Sequence, residues 1–227
     1  MKAVCDGVWV QDAEVKLPGG AVLPIRATVV QLDDGSLWVH SPVHPSPEWV
    51  RDLKAIGDVR HIVAPNTYHH LFIKKLAVEF GGACLYAPKA LMSKRSDINW
   101  TTELQRDLWP KDFTVVPLEG MDKLAEFVFL HKKSATLIVT DLLFHIQQPL
   151  NWQARFLNWL ANSAPGPRIS RLLGFVTTDK ARFVSSAWEI SQLPFDRMVM
   201  AHGDVIETGG QAALSAALEH RYGKGAG

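Results

Sequence analysis

Apolar and polar positions along the chain fall into two repeating arrangements. From the start to about residue 45 the pattern is β-like: "AVLPIRATVVQL" and "SLWVHSPV" are rich in β-branched and apolar residues, and Asp33-Asp34-Gly35 between them is a hairpin turn. Ser46-Pro47-Glu48 then opens a helix, with Ser46 as N-cap and Pro47 in the first turn. Its buried stripe is Trp49, Val50, Leu53 and Ile56, and Gly57 stops it. "VRHIVA" reads as a strand. A helix follows from His69 to Phe80, with Leu71, Phe72, Leu76 and Phe80 on one side and Gly81 at its end. "ACLYA" is another short strand, and residues 88–110 mix short helical pieces with loop.

The second arrangement repeats the first. "FTVVPL", "LAEFVFLH" and "ATLIVT" read as strands, with Lys132-Lys133-Ser134 at the last turn. Helices follow over "LNWQARFLNWLANS" and after Thr178-Asp179, the second with Phe183, Val184, Ala187 and Trp188 on one face. "RMVMA" is a buried strand and "QAALSAALEHRY" a closing helix. Two sheets packed face to face with helices outside satisfy this order. A doubly wound parallel sheet competes, but long antiparallel hairpins are unusual in it. The expected architecture is therefore α/β, one domain over residues 1–227, with a helical insertion at about 148–194.

Composition narrows the function classes. A chain of 227 residues with 47% hydrophobic content is long enough for a sizeable core. Its net charge is +1, and the densest basic spots are only Lys74-Lys75 and Lys94-Arg95, so no nucleic-acid footprint is expected. No apolar run is long enough to span a membrane, and Asp6 interrupts the N-terminal stretch before a signal-peptide core forms. Cys5 and Cys84 lack CxxC spacing. These features lead us to expect a cytoplasmic protein without a disulfide framework.

Chemistry-bearing residues stand where apolar strands stop. His40-Ser41 ends "SLWV", Asn66 to His70 follows "HIVA", Glu119 follows "FTVVPL", Asp141 ends "ATLIVT" and His202 ends "RMVMA". Strand ends leading into helices are where α/β scaffolds place their sites. His69, His70, His202 and Asp141 make a nitrogen–oxygen donor set suited to one divalent metal: Zn, Fe or Mn. Taken singly, each also has a structural reading: the His69-His70 pair as backbone hydrogen-bonders, Asp141 as a cap, Asn66 and Ser41 as turn-formers.

In order and spacing the chain resembles the metallo-β-lactamase superfamily. The carriers of the resemblance are "APNTYHH" after a strand, "LIVTDLLF", "VMAHGDVI" and the early hairpin "DDGSLWVHSP". The resemblance implies a four-layer αββα sandwich and a metal-dependent hydrolase. It also shows departures. Pro65 and Thr67 stand where the family's first two histidines belong, and His69 stands where an Asp belongs. Glu119 is the nearest polar substitute for a later histidine, and His40-Ser41 replaces an early Asp.

The resemblance thus implies a reduced, mononuclear site of His69, His70, Asp141 and His202, with His70 as the firmer ligand of the pair. Asp141 would double as proton acceptor, and Asn66 and His40 would polarise the substrate, an unknown small molecule. The rival class is a binding or sensing module with a decayed centre. A third is a metal-free enzyme using Ser41 and a nearby His. The Trp152, Phe156, Trp159 and Leu160 face is expected either to wall an apolar pocket or to make a homodimer contact.

Overall fold

The structure is a computed structural model describing residues 1–147 and 151–223. Its elements are β1 (Lys2–Cys5), β2 (Val8–Lys16), β3 (Val22–Gln31), β4 (Leu37–His40), α1 (Pro47–Ile56), β5 (Val59–Val63), α2 (Ile73–Glu79), β6 (Cys84–Ala87), α3 (Lys89–Lys94) and β7 (Thr102–Glu103). They continue as β8 (Phe113–Pro117), β9 (Phe127–His131), β10 (Thr136–Val139), α4 (Trp152–Ala161), α5 (Leu173–Val176), α6 (Lys180–Ser191), β11 (Arg197–Met200) and α7 (Gly210–Tyr222).

Two mixed sheets result. The first has seven strands in the order β1 to β7 and is antiparallel up to β4 and parallel from there. The second has four, ordered β11-β10-β9-β8, with β10 and β11 parallel. Side-chain alternation divides each strand between two layers. From β4, Trp38 joins Phe113, Val115, Phe129 and Ile138 in a core between the sheets. Val39 and Ile62 face the other way, onto Trp49 and Leu53 of α1, Ile73 and Leu76 of α2, and Leu91 of α3. Likewise Leu130, Leu137, Met198 and Met200 meet Phe183 and Ile190 of α6 and Leu214 of α7. Three apolar interfaces separate four layers, the α/β/β/α sandwich expected from the pattern.

Local departures have local causes. α1 begins as anticipated, Ser46 accepting the Trp49 N–H. α2 starts a full turn later than His69, because Asn66 Oδ1 accepts the N–H groups of Tyr68 and His69 and closes a turn there. The side facing the core is therefore Ile73 and Leu76, while Leu71 is 59% exposed. β9 starts at Phe127, not Leu124, since the Leu124 and Ala125 N–H groups both return to the Met121 carbonyl in a turn. The expected insertion holds α4, α5 and the whole of α6; its first residues, 148–150, lie outside the described residues.

Candidate metal centre

Four segments meet at the carboxyl ends of the parallel strands. β10 and β11 pair in register, Val139 with Met200, so Asp141 and His202 leave the sheet side by side. β5 leads into the turn that carries His69, and β4 ends at Ser41. Ser41 has a left-handed backbone, φ 50°, and it is buried. That turn aims its hydroxyl at His69, with Oγ 2.8 Å from Nδ1.

The reactive atoms converge closely. His69 Nε2 lies 3.4 Å from Asp141 Oδ2, and His202 Nε2 lies 3.2 Å from Asp141 Oδ1. The two Nε2 atoms are 3.2 Å apart. His202 is held by its other nitrogen, whose N–H donates to the Pro24 carbonyl at 2.7 Å, and by Phe144 stacked on its ring at 4.8 Å. A side chain at Gly203, φ 97°, would collide with the His145 carbonyl, so the backbone beside His202 requires glycine.

This geometry has an electrostatic consequence. A carbonyl can only accept, so His202 Nδ1 carries the proton and a neutral ring leaves a lone pair on Nε2. That lone pair faces a carboxylate oxygen and a second imidazole nitrogen. His69 Nε2 either carries a proton shared with these acceptors or, with its own proton on Nδ1 donated to Ser41 Oγ, offers a third lone pair to a metal. Zinc ligands sit at about 2.0–2.2 Å in tetrahedral array, which places donor atoms roughly 3.3 Å apart. The observed 3.2–3.4 Å separations fit that spacing. His69, Asp141 and His202 thus match the donor set of a three-ligand centre, their donor atoms all within 4.8 Å of one another. Burial would push the Asp141 carboxyl up, but the two imidazoles facing it hold it well below the usual carboxylate range.

The remaining anticipated residues lie elsewhere. His70 is outside the cluster, which reverses the order expected within the pair. The turn closed by Asn66 sends His69 to Asp141, while His70 is buried with no partner for its Nδ1 among the described residues. Burial, then Arg95 and Lys94, push its pKa down to about 4. His40 is not placed to touch a substrate: it lies between the sheets, stacked on Trp38 at 5.3 Å and 1% exposed. Burial holds its imidazole well below 6.5.

Asn66 is wholly buried and also cannot polarise a substrate. Its amide donates to Asp141 Oδ2 at 2.8 Å and to Thr140 Oγ1 at 3.0 Å, while its carbonyl takes the two turn N–H groups. Glu119 is a surface residue paired with Arg106 and Arg182. The acid that does reach the centre is Glu126, which the strand pattern hid. Fully buried, it accepts the N–H groups of Thr140, Asp141 and Leu142 and fixes the loop that carries Asp141. Burial, with Asp141's charge adding to it, pushes its carboxyl up to about 7.

A family model described as a domain of unknown function (DUF4336) matches residues 5–154, about two thirds of the chain. The chain belongs to the DUF4336 family. No curated protein matches it. Among solved structures, this DUF4336 chain is similar to the DIM-1 metallo-beta-lactamase, with TM-score 0.66 and 13% identity over 96% of this chain and 95% of that one. It is similar to FIM-1 from Pseudomonas aeruginosa in its mono-zinc form, with TM-score 0.63 and 14% identity over 96% and 94%. A metallo-beta-lactamase from Pontibacter korlensis gives TM-score 0.64 and 14% identity over 97% and 98%. The metallo-β-lactamase fold implied by the sequence is therefore the fold of this DUF4336 protein. Among the described residues, no helix is long and apolar enough to cross a membrane.

Proposed function

We propose that this DUF4336 protein is a hydrolase working with one divalent metal held by His69, Asp141 and His202. The observation that supports it most is the convergence of three lone-pair donors, one of them fixed in tautomer by the Pro24 carbonyl. When bound, the ion supplies Lewis acidity and makes water acidic enough to act as a nucleophile near neutral pH. Three protein ligands leave a position open for chemistry. With the ion in place, Asp141 would also be the carboxylate positioned to take up the proton that such a water gives up. Ser41 Oγ and the Pro24 carbonyl orient the two rings through their Nδ1 atoms, and Asn66 orients the carboxylate.

A second ion finds no cage on this reading. The segment with Pro65 and Thr67 is engaged elsewhere: the Pro65 carbonyl accepts the Phe127 N–H, and Thr67 bonds Leu124 and Lys123. Metal analysis after loading with zinc tests the assignment. About one ion per chain is expected in the native protein and little in Asp141→Ala, with the fold kept. Two tightly held ions per chain, none, or an unchanged content in Asp141→Ala overturns it.

The Ser41–His69 contact favours a second reading, a metal-free relay in which His69 activates Ser41. Against it, the 3.4 Å between His69 and Asp141 exceeds an ordinary hydrogen bond, and His202 competes for the same carboxylate. Hydrolysis that survives a chelator and disappears in Ser41→Ala would establish the relay. A metal-loaded protein with no turnover on any ester, amide or phosphoester would instead be a binding module.

A further inference from the structure

Two cavities open onto the centre, and they share Leu17, Leu23, Tyr68, Asp141 and His202. One, of about 370 Å³, runs under α4 and α5 between Leu124, Phe144, Leu157, Ala161, Leu173 and Val176. The other, of about 340 Å³, runs towards Val15, Ile25, Pro42, Leu71 and Phe72. Asp141 and His202 thus sit at the junction of a two-armed apolar groove. Away from that junction, several of the polar lining groups bond within the protein: Ser163 donates to Asn158, and Ser170 donates to the Ala161 carbonyl.

The charge of the lining selects among substrates. Neither cavity is lined by Lys or Arg among the described residues. Lys94, over the Tyr68 ring at 5.3 Å, donates to the Thr67 carbonyl. A phosphate or carboxylate tail would enter an apolar arm unpaired, with the Asp141 carboxylate nearby. An uncharged chain loses nothing there and gains burial.

We propose that the substrate is an uncharged acyl compound, an ester, thioester or amide, with an apolar chain in one arm and its reacting carbonyl at the junction. This rests on the hydrolase reading above. In the reaction the oxygen of water bonds to the acyl carbon, and the bond from that carbon to oxygen, sulfur or nitrogen breaks. One proton of the water ends on the leaving alcohol, thiol or amine, and the acyl half departs as a carboxylic acid.

The test is a binding measurement on metal-free protein, so it does not depend on turnover. Calorimetry would compare dodecyl methyl ketone, an uncharged mimic that water does not cleave, with dodecyl phosphate and with acetone. The ketone is expected to bind on the order of tenfold or more tightly than either of the others. Phe175→Glu and Leu71→Glu place a carboxylate at the rim of one arm each. Both positions are exposed, at 80% and 59%, so folding is not at stake. At least one of these variants should weaken the ketone about tenfold or more. Equal or tighter binding of the phosphate or of acetone, no binding of the ketone, or full affinity in both variants overturns the proposal. Zinc uptake measured on separately zinc-loaded aliquots of the same proteins reads the metal centre independently, so failure of the groove and failure of the centre are told apart.

Discussion

Asn66 has two N–H donors and a carbonyl with two lone pairs, and the structure uses all four: the lone pairs on the turn, the N–H groups on the Thr140 hydroxyl and the Asp141 carboxylate. Asn66→Ala is expected to lower unfolding stability by about 2–4 kcal/mol, read by urea denaturation, because buried partners lose their bonds at once. A loss under about 0.5 kcal/mol would show that the turn holds without it. His40 is the opposite case, a buried ring with neither nitrogen partnered among the described residues. Its folded pKa is depressed, so the unfolded chain takes up a proton below about pH 6.5 that the folded chain refuses. Stability therefore falls as pH drops through that value. His61, His70 and His131 are shifted the same way by burial. Glu126 opposes them: its pKa is raised to about 7, so the folded state holds an extra proton between there and the usual carboxylate range. The native urea midpoint should decline from pH 7.5 to pH 5, and His40→Leu should flatten that decline while matching the native protein within about 1 kcal/mol at pH 8. An unchanged slope in His40→Leu would remove His40 from the acid response.

Among the elements, the β2–β3 hairpin and α4 work as a pair. The hairpin runs nine residues beyond a simple turn, from Val8 opposite Val30 to Lys16 opposite Val22, and Leu17 and Leu23 at its tip line both arms of the groove. Asn151 ties that tip to α4: its carbonyl oxygen caps the Ala154 N–H and its amide donates to the Gly20 carbonyl at 2.9 Å. Asn151→Ala should cost about 1 kcal/mol from the lost cap and raise hydrogen exchange in residues 17–23, with the strands nearer Val8 unaffected. Unchanged exchange at the tip would mean that packing alone holds it. The helix itself shows what a sequence stripe can and cannot say. Trp152, Phe156 and Trp159 do share one face, but it is outward and 60–74% exposed, and the groove is walled by Leu157 and Ala161 opposite. Periodicity reveals that a face is apolar without revealing what lies against it. The same limit hid Glu126, which reads as one polar residue inside an apolar strand, while Glu119 at a strand end looked placed for chemistry and instead meets two surface arginines.

For the molecule as a whole, layering was legible because each strand alternates between two cores, and the order of hairpins and helices leaves little choice of how to bury both faces. Asp141 and His202 were legible for the same reason: parallel neighbours in register end together. Which of His69 and His70 turns inward was not legible, since it depends on hydrogen bonds from Asn66 that no spacing encodes. The bond from His202 to the Pro24 carbonyl joins positions 178 residues apart. During synthesis, then, a growing chain can shape most of the first sheet and still own no centre, because His202, the last of the three donors, is made well after His69 and Asp141. The early hairpin must wait for its His202 partner, so an ion offered before that strand is made meets scattered side chains in place of a formed centre.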